Sequence, residues 1–370
     1  MALLFCDGFD GYSSTAELAS KGWYSGNDTA TLSADTKVNW NATGGAYGGG
    51  GIALGPTNNY EAILFPAFTF SQGVTVNSAV MFRQVAPPPA NPSGSTNYGG
   101  LMAMASGTGT YSYSSSVFTC NTAGCIQFVG FGVLSNIGSP GTHNVCDGQW
   151  HWIEMQVNLT TGTTGSATVY VDGELDLQVS GVRTIYSAYS LPNGTIGLGL
   201  VTNNSAASVT SYYDDFIVWN NSGSSFNTFP IGQKRIYTGK PTGPGVSTQF
   251  TPSAGNNYAI AGQGYSGSAT LTSNGSGKLD LYTTSILNGA NPVDIDAVVL
   301  NSYARNVGSG VGFFTPALRN NGVLQTGPRT QLTANSVNYR SAFLLDANGN
   351  PWTKATIDAL QFGGESSDGN

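Results

Sequence analysis

Ala167-Thr168-Val169-Tyr170-Val171 and Glu174-Leu175-Asp176-Leu177-Gln178-Val179 are two runs that face each other across Asp172-Gly173. Asp-Gly between such runs is the strongest short-range signal for a β-hairpin, because a two-residue turn that matches strand twist needs positive φ at both central positions. Just upstream, Trp152-Ile153-Glu154-Met155-Gln156-Val157 alternates, with Trp152, Glu154 and Gln156 on one face and Ile153, Met155 and Val157 on the other. Ala62-Ile63-Leu64-Phe65, Ser78-Ala79-Val80-Met81-Phe82 and Ile126-Gln127-Phe128-Val129-Gly130-Phe131 are further short runs bounded by turn residues, and they also read as strands. Helix is scarce. Ser14 and Glu17 have capping-box spacing for one short helix through Ser20, and Thr353 is placed to cap another from Lys354 to Leu360. Many short strands with glycine-rich connections, and no alternating helices, predict an all-β sandwich instead of a parallel sheet.

Composition agrees. At 370 residues the chain exceeds what one core usually holds, so two domains are expected. Charged residues are only 9%, against about 25% in ordinary soluble domains. Hydrophobic residues at 40% and aromatic residues at 11% are enough to build cores, which argues against disorder. The 51 glycines follow no three-residue period, which excludes collagen. No apolar run approaches the roughly 20 residues of a membrane helix, so membrane insertion is not expected. Asp7 and Asp10 interrupt the apolar opening, and no secretion signal is expected there.

The net charge of −7 argues against nucleic acid as a partner. Its distribution says more. Residues 1–222 carry four basic side chains (Lys21, Lys37, Arg83, Arg183) against thirteen acidic ones, whereas residues 223–370 carry nine against seven. The change falls at Asn220-Asn221-Ser222-Gly223-Ser224-Ser225, a linker-like stretch, and predicts domains over 1–222 and 223–370.

Four cysteines decide little. Cys120 and Cys125 flank Asn-Thr-Ala-Gly, a hairpin loop that could set them opposite each other; four cysteines allow three complete pairings, and plain thiols or one incidental bridge are expected. No histidine stands at zinc-finger spacing, and His143 and His151 are the whole complement, so no zinc site is expected.

Other residues carry a resemblance. Leu4-Phe5-Cys6-Asp7-Gly8-Phe9-Asp10 is similar to the first strand of concanavalin A-like (laminin-G-like) jelly rolls. Gln149-Trp150-His151-Trp152-Ile153-Glu154, followed by Thr168 to Glu174, resembles two inner segments of that group, and Tyr213-Asp214-Asp215-Phe216-Ile217-Val218-Trp219 resembles its last strand. Downstream, Phe226-Asn227-Thr228-Phe229-Pro230-Ile231-Gly232-Gln233-Lys234-Arg235-Ile236 and Lys240-Pro241-Thr242-Gly243 resemble a segment that follows such jelly rolls in tailed-bacteriophage structural proteins. That pattern continues through Ile295-Asp296-Ala297-Val298-Val299 and closes with Pro351-Trp352-Thr353; Lys234 departs from the usual acidic residue. The resemblance implies a jelly-roll sandwich followed by a second β-rich domain with a short C-terminal helix. It also implies a virion protein of tail, fibre or decoration type. Its expected partners are other virion proteins, further copies of itself and a host surface glycan.

Jelly rolls of this type include glucanases, whose two carboxylates share one strand face and act as nucleophile and acid. The nearest match to their Glu-x-Asp-x-x-Glu is Glu174-Leu175-Asp176-Leu177-Gln178-Val179, where the last glutamate is replaced by Val179. It directly follows the hairpin turn and reads as a solvated face. No Gly-x-Ser-x-Gly elbow stands between a strand and a helix. No catalytic residue, no cofactor and no enzymatic activity are therefore expected. Calcium is weighed at Asp7, Asp10, Asp214 and Asp215, which adjacent first and last strands would bring together, but turn capping is the favoured role and no metal site is assigned. Asp346-Ala347-Asn348-Gly349-Asn350 reads as a turn. Sugar recognition needs exposed aromatic faces beside amides and hydroxyls. Tyr98, Tyr111, Tyr113, Tyr186 and Tyr189 in Gly/Ser-rich connections are the candidates for a glycan surface, with packing or subunit contact as the competing use.

Overall fold

The computed structural model describes residues 3–20, 23–25, 38–55, 62–66, 74–89, 101–106, 114–130, 135–184, 194–200, 209–222, 226–263, 267–287 and 289–368. The chain divides into two compact units, Met1–Ile236 and Tyr237–Asn370. The division thus falls after Ile236 instead of near Ser222, for a reason that lies in the segment between them.

The first unit opens with β1 (Leu3–Asp7), α1 (Thr15–Ser20), β2 (Trp23–Ser25), β3 (Val38–Asn41), β4 (Gly51–Leu54) and β5 (Ala62–Pro66). It continues with β6 (Thr75–Gln84), β7 (Leu101–Ser106), β8 (Ser114–Cys120), β9 (Ile126–Gly130) and β10 (Ser135–Asn136). It closes with β11 (His151–Asn158), β12 (Gly165–Val171), β13 (Glu174–Val182), β14 (Gly194–Leu200) and β15 (Ser211–Trp219). Two sheets form. The first runs β13-β12-β11-β6-β15-β4-β3, with β1 also on β15, and the second runs β10-β9-β8-β7-β14-β5-β2. Every pairing in them is antiparallel, so this is a jelly-roll sandwich.

The Asp172-Gly173 turn forms as its residues require, with φ of 51° and 88°, and joins β12 to β13. Ile153, Met155 and Val157 enter the core with Val76, Val80 and Phe82 of the paired β6. Phe5, Trp23 and Phe216 stack at one end of this core, with Phe5–Trp23 ring centroids 5.0 Å apart and edge to face. The Tyr213 hydroxyl crosses between sheets and donates to the Gly199 carbonyl at 3.0 Å. First and last strands are neighbours, as expected. At α1 Glu17 reaches back one residue further than expected: the Ser13 amide and hydroxyl both donate to its Oε2 at 2.7 Å.

The second unit contains β16 (Gly243–Thr248), β17 (Thr251–Pro252), α2 (Asn257–Gly262), β18 (Leu271–Thr272), β19 (Lys278–Thr283) and β20 (Val298–Ala304). After these come β21 (Gly312–Asn320), β22 (Val323–Thr326), β23 (Thr330–Gln331), β24 (Val337–Phe343), α3 (Lys354–Asp358) and β25 (Gln361–Asp368). Its main sheet has the order β16-β19-β25-β21-β22, and β20 pairs with β24 as a separate ribbon. Leu300, Leu318, Phe343, Trp352, Ile357 and Leu360 make a small core. Thr353 caps α3 as its sequence predicts, in a full capping box with Thr356. Asp346 holds its turn by accepting from the Asn348 and Asn350 amides at 2.9 Å.

Candidate functional site

The outer face of the first sheet does not meet solvent in its middle. Met81, Trp152, Glu154, Ile217 and Trp219 point away from the sandwich core, yet none is more than 4% exposed. They are covered by Phe226–Ile236, which runs along the face as a strap. The Trp219 indole donates to the Thr228 carbonyl at 3.0 Å, and the Phe229 ring sits 5.5 Å from Tyr170 and 6.3 Å from Trp219. The Ile231 amide donates to Glu154 Oε1 at 2.6 Å, and the Gln233 amide donates to the Tyr47 hydroxyl at 2.7 Å. Arg235 stacks on Tyr47, 4.3 Å from the ring centre, and the Ile236 amide donates to Asp215 Oδ1 at 2.8 Å. Burying a large apolar side chain contributes about 1.5–3 kcal/mol, so covering Met81, Trp152, Ile217 and Trp219 offsets part of the cost of ordering the strap, and the hydrogen bonds and ring contacts above add to it. This is why the strap belongs to the first unit.

Burial under the strap raises the Glu154 carboxyl, with the Ile231 amide easing the charge in part. The Trp152 indole N–H lies near enough to help but outside hydrogen-bonding geometry. At the other end of the strap, burial, with the nearby charge of Asp10, pushes Asp214 up to about 7, and burial, with the charge of Asp214, pushes Asp215 up to about 8. Asp10 is raised mainly by burial too.

The four aspartates weighed for calcium act on backbone and side-chain donors. Asp7 accepts from the Tyr12 hydroxyl, the Trp23 indole at 2.9 Å and the Phe9 amide at 3.0 Å. Asp10 accepts from the Gly50 amide at 2.7 Å, and Asp214 accepts from the Ala46 and Asp215 amides at 2.8 Å. Asp10 and Asp214 fix the glycine-rich loop between β3 and β4. Gly45 has to be glycine there, since a Cβ would lie 2.4 Å from the Gly50 carbonyl oxygen. Among the described residues, no three His, Cys, Asp or Glu side chains gather to hold a metal.

Both histidines pair with carboxylates, which raises both. His143 Nδ1 lies 2.8 Å from Asp176 Oδ1 and its Nε2 lies 3.3 Å from Glu174 Oε2. The expectation of a solvated Glu174–Asp176 face holds for Glu174 only: its side chain is 78% exposed, whereas that of Asp176 is 0% exposed. Asp176 Oδ1 also accepts from the Thr142 and His143 amides, because the connection from β10 to β11 folds over the start of β13. A buried carboxylate on one ring nitrogen and an exposed one on the other fix the orientation of the His143 ring, with the Glu174 side the one that solvent reaches. His151 is held between Asp172 and Asp147.

The hairpin loop does not set Cys120 opposite Cys125. All four cysteines are thiols, and Cys120 pairs in register with Ile126, while Cys125 forms a bridge with Asn144. The neighbour of the buried Cys120 thiol is the buried Cys146 thiol, supplied by the connection between β10 and β11.

Beyond the strap, one row of the same outer face carries Trp150, Arg83 and Tyr212. Arg83 of β6 pairs in register with Tyr212 of β15, and its neighbour Phe82 pairs with His151, next to Trp150. The guanidinium carbon lies 4.5 Å from the Tyr212 ring centre and 5.1 Å from that of Trp150. All three side chains are half-buried, and Arg83 Nε is enclosed without a hydrogen-bond partner. The five tyrosines proposed from sequence for glycan contact, Tyr98, Tyr111, Tyr113, Tyr186 and Tyr189, lie outside the described residues. The Trp150–Arg83–Tyr212 row was missed because its members are 62 to 129 positions apart; the cross-strand register that joins them is not local.

No protein-family model and no curated protein matches the chain. Solved structures do. An endo-β-1,4-glucuronan lyase from the fungus Trichoderma reesei is 15% identical, with 59% of this chain and 95% of that chain covered and a TM-score of 0.42. An endo-1,3-β-glucanase from Streptomyces sioyaensis is 12% identical, over 59% and 95%, with a TM-score of 0.38. Lectin UEA-II, solved with galactose, is 9% identical, over 59% and 99%, with a TM-score of 0.37. The expectation that the chain is not an enzyme is corrected by these neighbours, which include a lyase and a glucanase beside a lectin. That expectation rested on the absent hydrolase carboxylate pair. The chain is an all-β protein whose first unit is a jelly-roll sandwich.

Proposed function

We propose that this chain is a structural protein of a tailed-bacteriophage particle, of tail, fibre or decoration type, whose jelly roll offers a glycan-contact surface for host attachment. One observation carries the phage part of this reading. The phage-like segment Phe226–Ile236 is the strap, and its Phe229, Ile231, Gln233 and Arg235 grip the sandwich. A segment with that many specific contacts is a designed part of the fold, which supports reading the sequence likeness as structural kinship. The glycan part is supported by the jelly-roll fold and by aromatic side chains on its outer face. Virion parts repeat by symmetry, so several copies per particle belong to the proposal. Mass spectrometry of purified particles tests it: the chain is expected at multiple copies, and its absence from particles that the same genome encodes contradicts the reading.

A second reading is favoured by His143 with Asp176 behind it: a glycan-cleaving activity on the same fold. It predicts release of unsaturated or reducing ends from an acidic or neutral polysaccharide, abolished in His143→Ala. No release from a broad polysaccharide panel contradicts it.

A further inference from the structure

The geometry points to a recognition site for an anionic saccharide at Arg83, between Trp150 and Tyr212. This rests on the glycan-contact reading above and names the chemical class of the ligand. Arg83 is one of four basic side chains among residues 1–222, where thirteen are acidic. Even so, no carboxylate among the described residues pairs with it, and its Nε is enclosed and without a partner. An arginine in so acidic a stretch of chain would ordinarily be neutralised by an Asp or Glu. Here two aromatic rings take that place, at 4.5 Å and 5.1 Å. Stacking fixes the planar fork and strips water from its faces while leaving its donors uncommitted.

A fixed, partly desolvated fork is suited to a planar or tetrahedral oxyanion, which it binds through paired charge-assisted hydrogen bonds. Trp150 and Tyr212 add flat apolar surface beside it, as a pyranose ring requires. The β6 and β15 backbones position Arg83 and Tyr212 directly opposite each other, so the site is built on paired strands and not on a loop. Carboxylated and sulfated sugars share this oxyanion chemistry.

Titration calorimetry of the full chain with oligogalacturonate, with its neutral methyl ester and with a sulfated chondroitin oligosaccharide tests the inference. The acid or the sulfated sugar is expected to bind, with the ester about tenfold weaker or worse, since a charged hydrogen-bond pair is removed. Arg83→Met is expected to lose about the same factor for the anionic ligand and to leave the ester unchanged. Arg83→Lys, which keeps the charge without the fork, falls between. The two anionic arms report which oxyanion is preferred. Equal affinity of wild type for acid and ester overturns the inference, and this comparison needs no variant to fold. Equal binding of the acid by wild type and Arg83→Met overturns it as well. Binding to neutral sugars alone defeats this site but leaves the glycan-contact reading standing; binding to no sugar at all defeats both.

Discussion

The backbone amide of Ile231 donates to Glu154 Oε1 at 2.6 Å, joining the strap to the middle of the first sheet. Glu154 is 0% exposed, so this contact is a buried, charge-assisted one, and much of the strap's placement depends on it.

Glu154→Ala leaves that amide without an acceptor and a void beneath it, and is expected to cost about 2–4 kcal/mol. Glu154→Gln keeps an oxygen for Ile231 and removes a buried charge, so it is expected within about 1 kcal/mol of wild type. Denaturant unfolding followed by tryptophan fluorescence checks both. Equal loss in the two variants would show that charge, and not the acceptor, matters.

A chain ending at Ile236 is expected to fold and stay monodisperse, whereas one ending at Ser222 exposes Met81, Trp152, Ile217 and Trp219. The shorter chain is expected to aggregate and to bind a hydrophobic dye. Size-exclusion chromatography distinguishes them, and two equally well-behaved chains would contradict the assignment of the strap to the first unit.

Asp214 and Asp215 are pushed up to about 7 and 8, above the ordinary value of 3.8. The folded state therefore binds their protons more tightly than the unfolded state does, and stability falls as pH rises from about 4 toward 8. His143 and His151, both raised above 6.5, act in the same sense at the upper end, since their stabilising charge is lost as pH rises through their folded values. The sandwich is expected to melt higher at pH 6 than at pH 8.5. Asp215→Asn should flatten that slope and add about 1–2 kcal/mol at pH 8.5, because asparagine also tolerates the φ of 49° found there. A melting temperature that rises with pH would refute this.

Cys120 and Cys146 are at most 1% exposed, and Cys6 and Cys125 are partly exposed. After reduction and removal of the reductant, Ellman's reagent should label Cys6 and Cys125 in the folded chain and the other two only after denaturation. Rapid labelling of all four would contradict the packing of the connection between β10 and β11.

What could be read from sequence was local. Asp172-Gly173 specifies its own turn, and Thr353 specifies its own cap. Alternation at 152–157 separates two faces correctly, but it does not say that both are covered, since the cover for Trp152 and Glu154 comes from residues 226–236. The charge step near Ser222 is real in composition and misplaces the structural boundary for the same reason. His143–Asp176 and Trp150–Arg83–Tyr212 come together only through cross-strand register and the long connection between β10 and β11. No spacing rule joins residues that far apart.

The central claim is that this jelly roll contacts a glycan, and the most direct measurement is binding of the intact, purified chain to a broad glycan array. The account predicts saturable binding, strongest to saccharides bearing a carboxylate or sulfate. A folded chain that binds nothing on the array would contradict it.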